Sequence, residues 1–235
     1  LADKVEQMMG WVVPDADACR RLAMEVRTRD PNAPPEEMAR QLVKYAQKQG
    51  ATIGGVTGVL ASPLTFMPAA LADMAAMMKV EGTMAGGIAA LLDPASLDDP
   101  ERFRADVLAV VFPAALSQAL RQLGVRAGEQ LTKSLVRRAV GKGSFEAAAK
   151  LSGRFLGAKL TGRALATKGV PLVGVGIGAG WNWLEVQAVG ARAIAYHTGQ
   201  PLVSGRLREL GLKLLPGRVK EWVGRDKAEG PPPVP

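Results

Sequence analysis

Between Lys48 and Asp73 the chain carries no charge, and around Asp73 the apolar positions Leu71, Met74 and Met78 recur at helical spacing with no strand-like alternation. This pattern predicts a helix over residues 64–92 that is hydrophobic on nearly every side, preceded by the apolar stretch 51–60 and the break Ala61-Ser62-Pro63. Pro68 falls in the first turn of the longer helix, where a missing amide proton costs least. A second apolar stretch, 169–197, has no charge until Glu185 and predicts a helix that begins at Pro171 and packs against the first. A helix apolar all round must be buried in protein or in lipid.

The flanking segments are polar and amphipathic. Pro14 and the acidic start at Asp15 predict a helix over 15–29. After the turn DPNAPP, Glu36 and Glu37 open another helix, which ends in Lys44 and Lys48 before Gly50. Asp99 as cap, Pro100 at the first helical position and Glu101 beside the dipole predict a helix over 100–123, which Pro113 should kink or split. Residues 124–140 and 144–167 are amphipathic and basic, and the polar pattern resumes after Gly199 through Arg206, Arg208, Lys213 and Lys220. The terminal PPPVP cannot form a helix and is expected to be extended and disordered.

Aromatic residues make up only 5% of the 235-residue chain, while Gly, Ala, Leu and Met are abundant, a composition suited to closely packed helices rather than a β-sandwich. The expected fold is all-α: a single multi-helix bundle with two central Gly/Ala-rich apolar helices or hairpins and an amphipathic, basic C-terminal half. Its expected parts are an N-terminal helical cap (1–49), a core (50–200), C-terminal amphipathic helices (201–229) and the Pro-rich tail (230–235). The uncharged run 49–72 is 24 residues long, the length of a membrane span, but two prolines break it and Ala, Gly and Thr dilute it. A membrane-inserting hairpin fits better than a span.

Charge sharpens that picture. Residues 1–100 hold 9 Lys/Arg against 13 Asp/Glu, and residues 101–235 hold 21 against 9, so the two parts carry −4 and +12. From Arg121 to Lys168 eleven basic residues face only Glu129 and Glu146, interleaved with apolar side chains, a combination that suits an anionic membrane surface or a solvated face over a core. Cys19 is the only cysteine, which implies a reducing compartment and no internal disulfide. The chain opens at Leu1, as a fragment or processed product would, and its start lacks the basic and apolar regions of a signal peptide.

G-x-x-x-G spacing recurs along the chain, including 54/58, 82/86, 124/128, 153/157, 174/178 and 176/180. On a helix it lets another backbone approach closely, and Gly54, Gly58, Gly174 and Gly178 are the favoured packing positions. Polar residues are embedded in both apolar helices: Asp73 and Glu81 two turns apart, and Asn182, Glu185, Arg192 and Tyr196 at helical steps. If the two helices face each other, Arg192 would neutralise Asp73 or Glu81 in a buried polar cluster. The alternative is a solvated edge.

No catalytic signature stands out. The glycine runs fail the dinucleotide fingerprint, no phosphate loop is present, and zinc and di-iron ligand sets are missing. His197 is the sole histidine and no G-x-S-x-G elbow accompanies it, so it reads as a helix-end histidine favoured by the dipole. No catalytic residue, metal or cofactor is expected. Nucleic acid is disfavoured because only Phe145 and Phe155 would stack within the basic region.

Three segments, GGVTGVLASPLTFMPAALADMAAMM, the acidic step LDDPER at 97–102, and VPLVGVGIGAGWNW with AVGARAIAYH, together resemble the bacterial EcsC family over residues 39–201. The resemblance implies a helical bacterial protein, loosely membrane-associated, at the inner face of the membrane in the cytoplasm, with no catalytic residues to carry over. The expected function is therefore non-enzymatic binding of an anionic membrane or a lipid-like ligand. An apolar hairpin or pocket would use Leu64, Phe66, Met67, Met74, Met77, Met78 and Trp183, with Arg137, Arg138, Lys142, Lys150 and Arg154 at headgroups. Methionines suit irregular apolar ligands, or fill a core. The alternative is an interaction module docking on a transporter or larger assembly through the cap or the tail; a lipid-directed hydrolase comes third.

Overall fold

A computed structural model describes residues 12–60, 66–113, 116, 117, 120, 130–139 and 171–203 of the chain. The fold is all-α. Its helices are α1 (Ala16–Arg29), α2 (Pro35–Leu60), α3 (Phe66–Leu92), α4 (Pro100–Val111), α5 (Lys133–Ala139) and α6 (Pro171–His197), with a 3-10 turn at Pro94–Leu97 between α3 and α4. The two-residue strands β1 (Gln130–Leu131) and β2 (Leu202–Val203) pair as a minimal ladder. Contacts divide the chain into Leu1–Leu202 and Val203–Pro235, and all six of these helices belong to the first unit. The expected helices at 144–167 and, beyond Val203, at 201–229, together with the tail at 230–235, lie outside the described residues.

Local chemistry sets the helix starts. Asp15 Oδ1 accepts from the backbone N–H of Ala18 at 2.8 Å and caps α1, while Asp99 accepts from the N–H groups of Glu101 and Arg102 at 3.1 and 3.2 Å ahead of Pro100 and caps α4. α4 stops at Val111, two residues before Pro113, whose missing N–H cannot continue the ladder. α6 ends in a Schellman turn: Gly199 N–H bonds Tyr196 C=O, Gln200 N–H bonds Ala195 C=O, and Gly199 takes φ +81°.

One boundary differs from the sequence reading. α2 runs through Gly50 without a stop, because the glycine is there for proximity: a Cβ would sit 3.0 Å from Val186 and 3.4 Å from Met77. The expected end of a helix at Lys48 therefore lies inside one rod that continues to Leu60.

The core is built on α2, α3 and α6. α6 packs most extensively on α2 and less on α3, so the helix it was expected to face is its second partner rather than its first. Val43 meets Gly190 and Gly50 meets Val186, which makes α2 and α6 antiparallel; Leu42 meets Gly87 and Gly50 meets Met77, which makes α2 and α3 antiparallel as well. Within α3 the stretch Ala72–Leu92 has the length and apolarity of a membrane span, yet 67% of it is buried by the rest of the protein, the mark of a core helix. The G-x-x-x-G pair Gly82/Gly86 receives the N-terminal segment: a Cβ on Gly82 would lie 1.8 Å from the Val12 carbonyl oxygen, and one on Gly86 2.4 Å from Cys19 Sγ.

That burial governs Cys19. Desolvation, with the nearby Asp15 charge and against Arg20, pushes its thiol up to about 12. Native Cys19 should accordingly alkylate at pH 8 at least about a hundredfold more slowly than the same thiol in denaturant; equal rates would contradict its burial.

Candidate functional site

The antiparallel packing gives the bundle two unlike ends. At one end the C-termini of α3 and α6 meet, and both present carbonyl groups and partial negative charge. Asp93 follows α3, Tyr196 and His197 close α6, Asp106 projects from the middle of α4, and α5 brings in Lys133 and Arg137. Lys133 Nζ and Arg137 donate to Asp93 Oδ2, the latter at 3.1 Å, and His197 Nδ1 stands 3.8 Å from the same oxygen, beyond hydrogen-bonding range. Tyr196 donates its hydroxyl to Asp106 Oδ1 at 2.6 Å, and its ring lies edge-on to His197 at 5.2 Å. Lys133 Nζ sits 5.9 Å from the Tyr196 ring centroid.

The electrostatics follow from this geometry. His197, then the hydrogen bond and charge of Lys133, hold Asp93 far below the ordinary carboxylate range against the opposing effect of burial. Burial pushes Asp106 the other way, only partly countered by the Tyr196 hydroxyl and the charges of His197, Lys133 and Arg137. Burial and the neighbouring Asp106 raise the Tyr196 phenol. Two carboxylates face one ammonium and one guanidinium, and this cluster fastens α5 to the ends of α3 and α6 and to the middle of α4. Among the described residues, Asp106 Oδ2 and His197 Nδ1 are buried without a hydrogen-bond partner.

Midway along the bundle lie the polar residues noted in the sequence. Asn182 donates to Gly50 C=O at 3.1 Å and to Asp73 Oδ1 at 3.3 Å, so Asp73 is held by an amide. The charges acting on Arg192 are those of Glu81 and Glu185, while burial pulls its guanidinium below its usual range. Of the two carboxylates expected to meet Arg192, Glu81 is the one whose charge acts on it, and Asp73 accepts from Asn182. Asp73 belongs to the amide and Glu81 to the guanidinium, because Asn182 sits at the level of Gly50 and Arg192 lies nearly three turns further along α6.

Among the described residues, the opposite end is built from uncharged helical segments. Past Lys48 on α2, before Asp73 on α3 and before Glu185 on α6, the sequence has no ionisable side chain within those helices, and the antiparallel packing sets the three segments side by side. At their base Trp181 and Trp183 are exposed, at 46% and 41%, and Val56 is exposed further along α2, at 54%.

The other named positions distribute as follows. Met74, Met77 and Met78 are at most 2% exposed and belong to the core, because α2 and α6 cover the face of α3 that carries them. Of Phe66, Met67, Gly58, Gly174 and Gly178 only the helical backbone is described, and Leu64, Lys142, Lys150 and Arg154 fall outside the described residues. Gly54 is buried in α2. Gly180, in a G-x-x-x-G pair, faces open space, whereas Gly190, which is in none, meets both methyls of Val43. Arg138 is exposed and Arg137 is committed to Asp93. A surface hollow lies on α1, lined by Arg21, Met24, Glu25, Thr28 and Arg29, and none of the expected ligand residues lines it. Sequence reasoning missed Asp106 and Lys133. The available signal was Asp106 itself, a lone charge inside the apolar run ADVLAVVF, which burial would force to find partners.

No family model matches the chain, and no curated protein or solved structure matches it either.

Proposed function

We propose that this protein binds membranes without catalysing a reaction, lowering the uncharged end of its bundle into one leaflet, at the inner face of a bacterial membrane as its resemblance to the EcsC family implies. The observation that supports this reading is the juxtaposition of three uncharged helical segments with Trp181 and Trp183 exposed at their base and Val56 exposed along α2. Tryptophan favours the membrane–water boundary, where its ring is apolar and its N–H is wet. Helices satisfy their own backbone groups and so enter hydrocarbon at low cost.

Length decides how deep the end reaches. From Gln49 to Leu60 the uncharged part of α2 rises roughly 18 Å at about 1.5 Å per residue, close to half of a hydrocarbon core about 30 Å thick. The segment suits one leaflet and is too short to cross.

Of the basic residues named from the sequence, Arg137 and Arg138 do not serve this contact. Fourteen residues of α6 separate Trp183 from His197, roughly 21 Å, which puts Arg137 and Arg138 at the far end. Lys44, Lys48 and Lys79 are the exposed cations nearest the uncharged end among the described residues and supply the attraction to anionic lipid, about 1 kcal/mol each at the surface. An enclosed ligand pocket built on Met74, Met77 and Met78 is the weaker form of the reading, since those side chains already fill the core.

The test is co-sedimentation with phosphatidylglycerol and phosphatidylcholine vesicles at low and high salt. The expected result is binding to both, stronger for the anionic lipid at low salt, and weakened about tenfold by combined Trp181→Ser and Trp183→Ser. Absence of binding to either vesicle, or a double variant that binds as well as the parent, would overturn the proposal. Indifference to lipid charge would remove the lysine contribution alone.

A further inference from the structure

At the other end of the bundle, independently of the membrane reading, the geometry points to a site for a divalent first-row transition cation on Asp93, Asp106 and His197, with Lys133 as its built-in competitor. Each of the three residues offers one ligand atom, and the three atoms lie within 4.8 Å of one another. They come from three elements that the tertiary fold alone brings together.

Two further observations single out a cation. His197 has a side chain only 2% exposed and its Nδ1 has no hydrogen-bond partner among the described residues, and Asp106 is 0% exposed with Oδ2 in the same condition. A buried nitrogen and a buried oxygen left without partners are each costly, and a cation between them would satisfy both at once. The C-termini of α3 and α6 also converge here, so their carbonyl ends add negative potential to the two carboxylates.

The donor set indicates which cation. One imidazole nitrogen and two carboxylate oxygens suit zinc, cobalt or manganese; calcium and magnesium prefer an all-oxygen shell. Ligand atoms about 2.0–2.2 Å from a shared ion are at most about 4.4 Å apart, so the three must draw in slightly. The residues around them already orient the carboxylates as outer-shell partners do: Tyr196 holds Asp106 Oδ1 and Arg137 holds Asp93 Oδ2. Lys133 also sits on Asp93 Oδ2, and its ammonium is the charge that an incoming cation would repel. Its side chain is 16% exposed, which leaves it a route to solvent.

The experiment uses the full chain without a histidine tag, stripped with chelator and titrated calorimetrically with zinc and with cobalt, the cobalt complex also being read by visible absorption. One equivalent of either ion should bind, His197→Gln and Asp106→Asn should each weaken it at least tenfold, and Lys133→Ala should tighten it severalfold. The lysine variant discriminates between roles: a purely structural ion pair would lose stability on its removal and gain no affinity for metal. Failure of the parent chain to bind one equivalent would overturn the proposal. So would affinity unchanged in folded His197→Gln, or left unimproved in Lys133→Ala, with helical circular dichroism reporting the fold of each variant.

Discussion

Replacing Asp93 by alanine should lower the stability of the protein by about 3 kcal/mol in chelator-containing buffer, measured by urea denaturation followed through helical circular dichroism. Removing one partner of a buried ion pair costs about 3–5 kcal/mol because the other charge is left in a poor dielectric. Asp93 serves two cations, Lys133 and Arg137, and its side chain is 22% exposed, so the lower end of that range applies. Lys133→Ala should cost less, since Asp93 retains Arg137 and some access to water. A loss below about 0.5 kcal/mol for Asp93→Ala would mean that water replaces the carboxylate freely and that α5 is not fastened through it.

The pH dependence has a definite sign. The Asp93 carboxyl is held well below its usual range in the folded protein, with His197 and Lys133 responsible. A depressed carboxylate contributes stability above its unfolded value, near 3.9, and loses it as pH falls through the lower folded value. The gap between parent and Asp93→Ala should therefore stay constant from about pH 8 to pH 5 and close only below about pH 4. A gap that closed already at pH 6 would instead implicate the protonation of another group.

Much of the architecture was legible in short-range chemistry. Asp15 and the Asp99-Pro100-Glu101 step mark the starts of α1 and α4 because a cap acts on amides two or three residues away. The all-α class followed from helical periodicity and a small-residue composition. What stayed hidden depends on contacts distant in sequence. Tyr196 and Asp106 are 90 residues apart, and Lys133 and Asp93 are 40 apart, so no spacing announces either pair. Gly50 looks like a stop because glycine often follows a helix, but here it lets α6 and Met77 approach the middle of one. Met74, Met77 and Met78 fit a ligand surface and a core equally well in sequence, and only the helices placed against them decide.

The same dependence on approach makes Gly190 the glycine whose loss should cost most in the packing of α2 on α6. A Cβ there would lie 2.4 and 2.8 Å from the two methyls of Val43, which is itself 9% exposed and hemmed in on α2. Gly190→Leu adds three more carbons to that collision, between the two helices that pack most extensively, and should destabilise by about 3 kcal/mol, the upper end for overpacking. Better helix propensity returns only about 0.8 kcal/mol of this. Gly180 provides the control on the same helix, because a Cβ there meets no atom within 4 Å. Gly180→Ala should be neutral or stabilising by up to about 1 kcal/mol. Because the obstruction at Gly190 is one side chain, Gly190→Ala and Val43→Ala should couple favourably in a double-mutant cycle, the pair being more stable than the sum of the singles predicts. Strict additivity would show that α2 and α6 separate rather than repack, and that the notch at Gly190 does not set their distance.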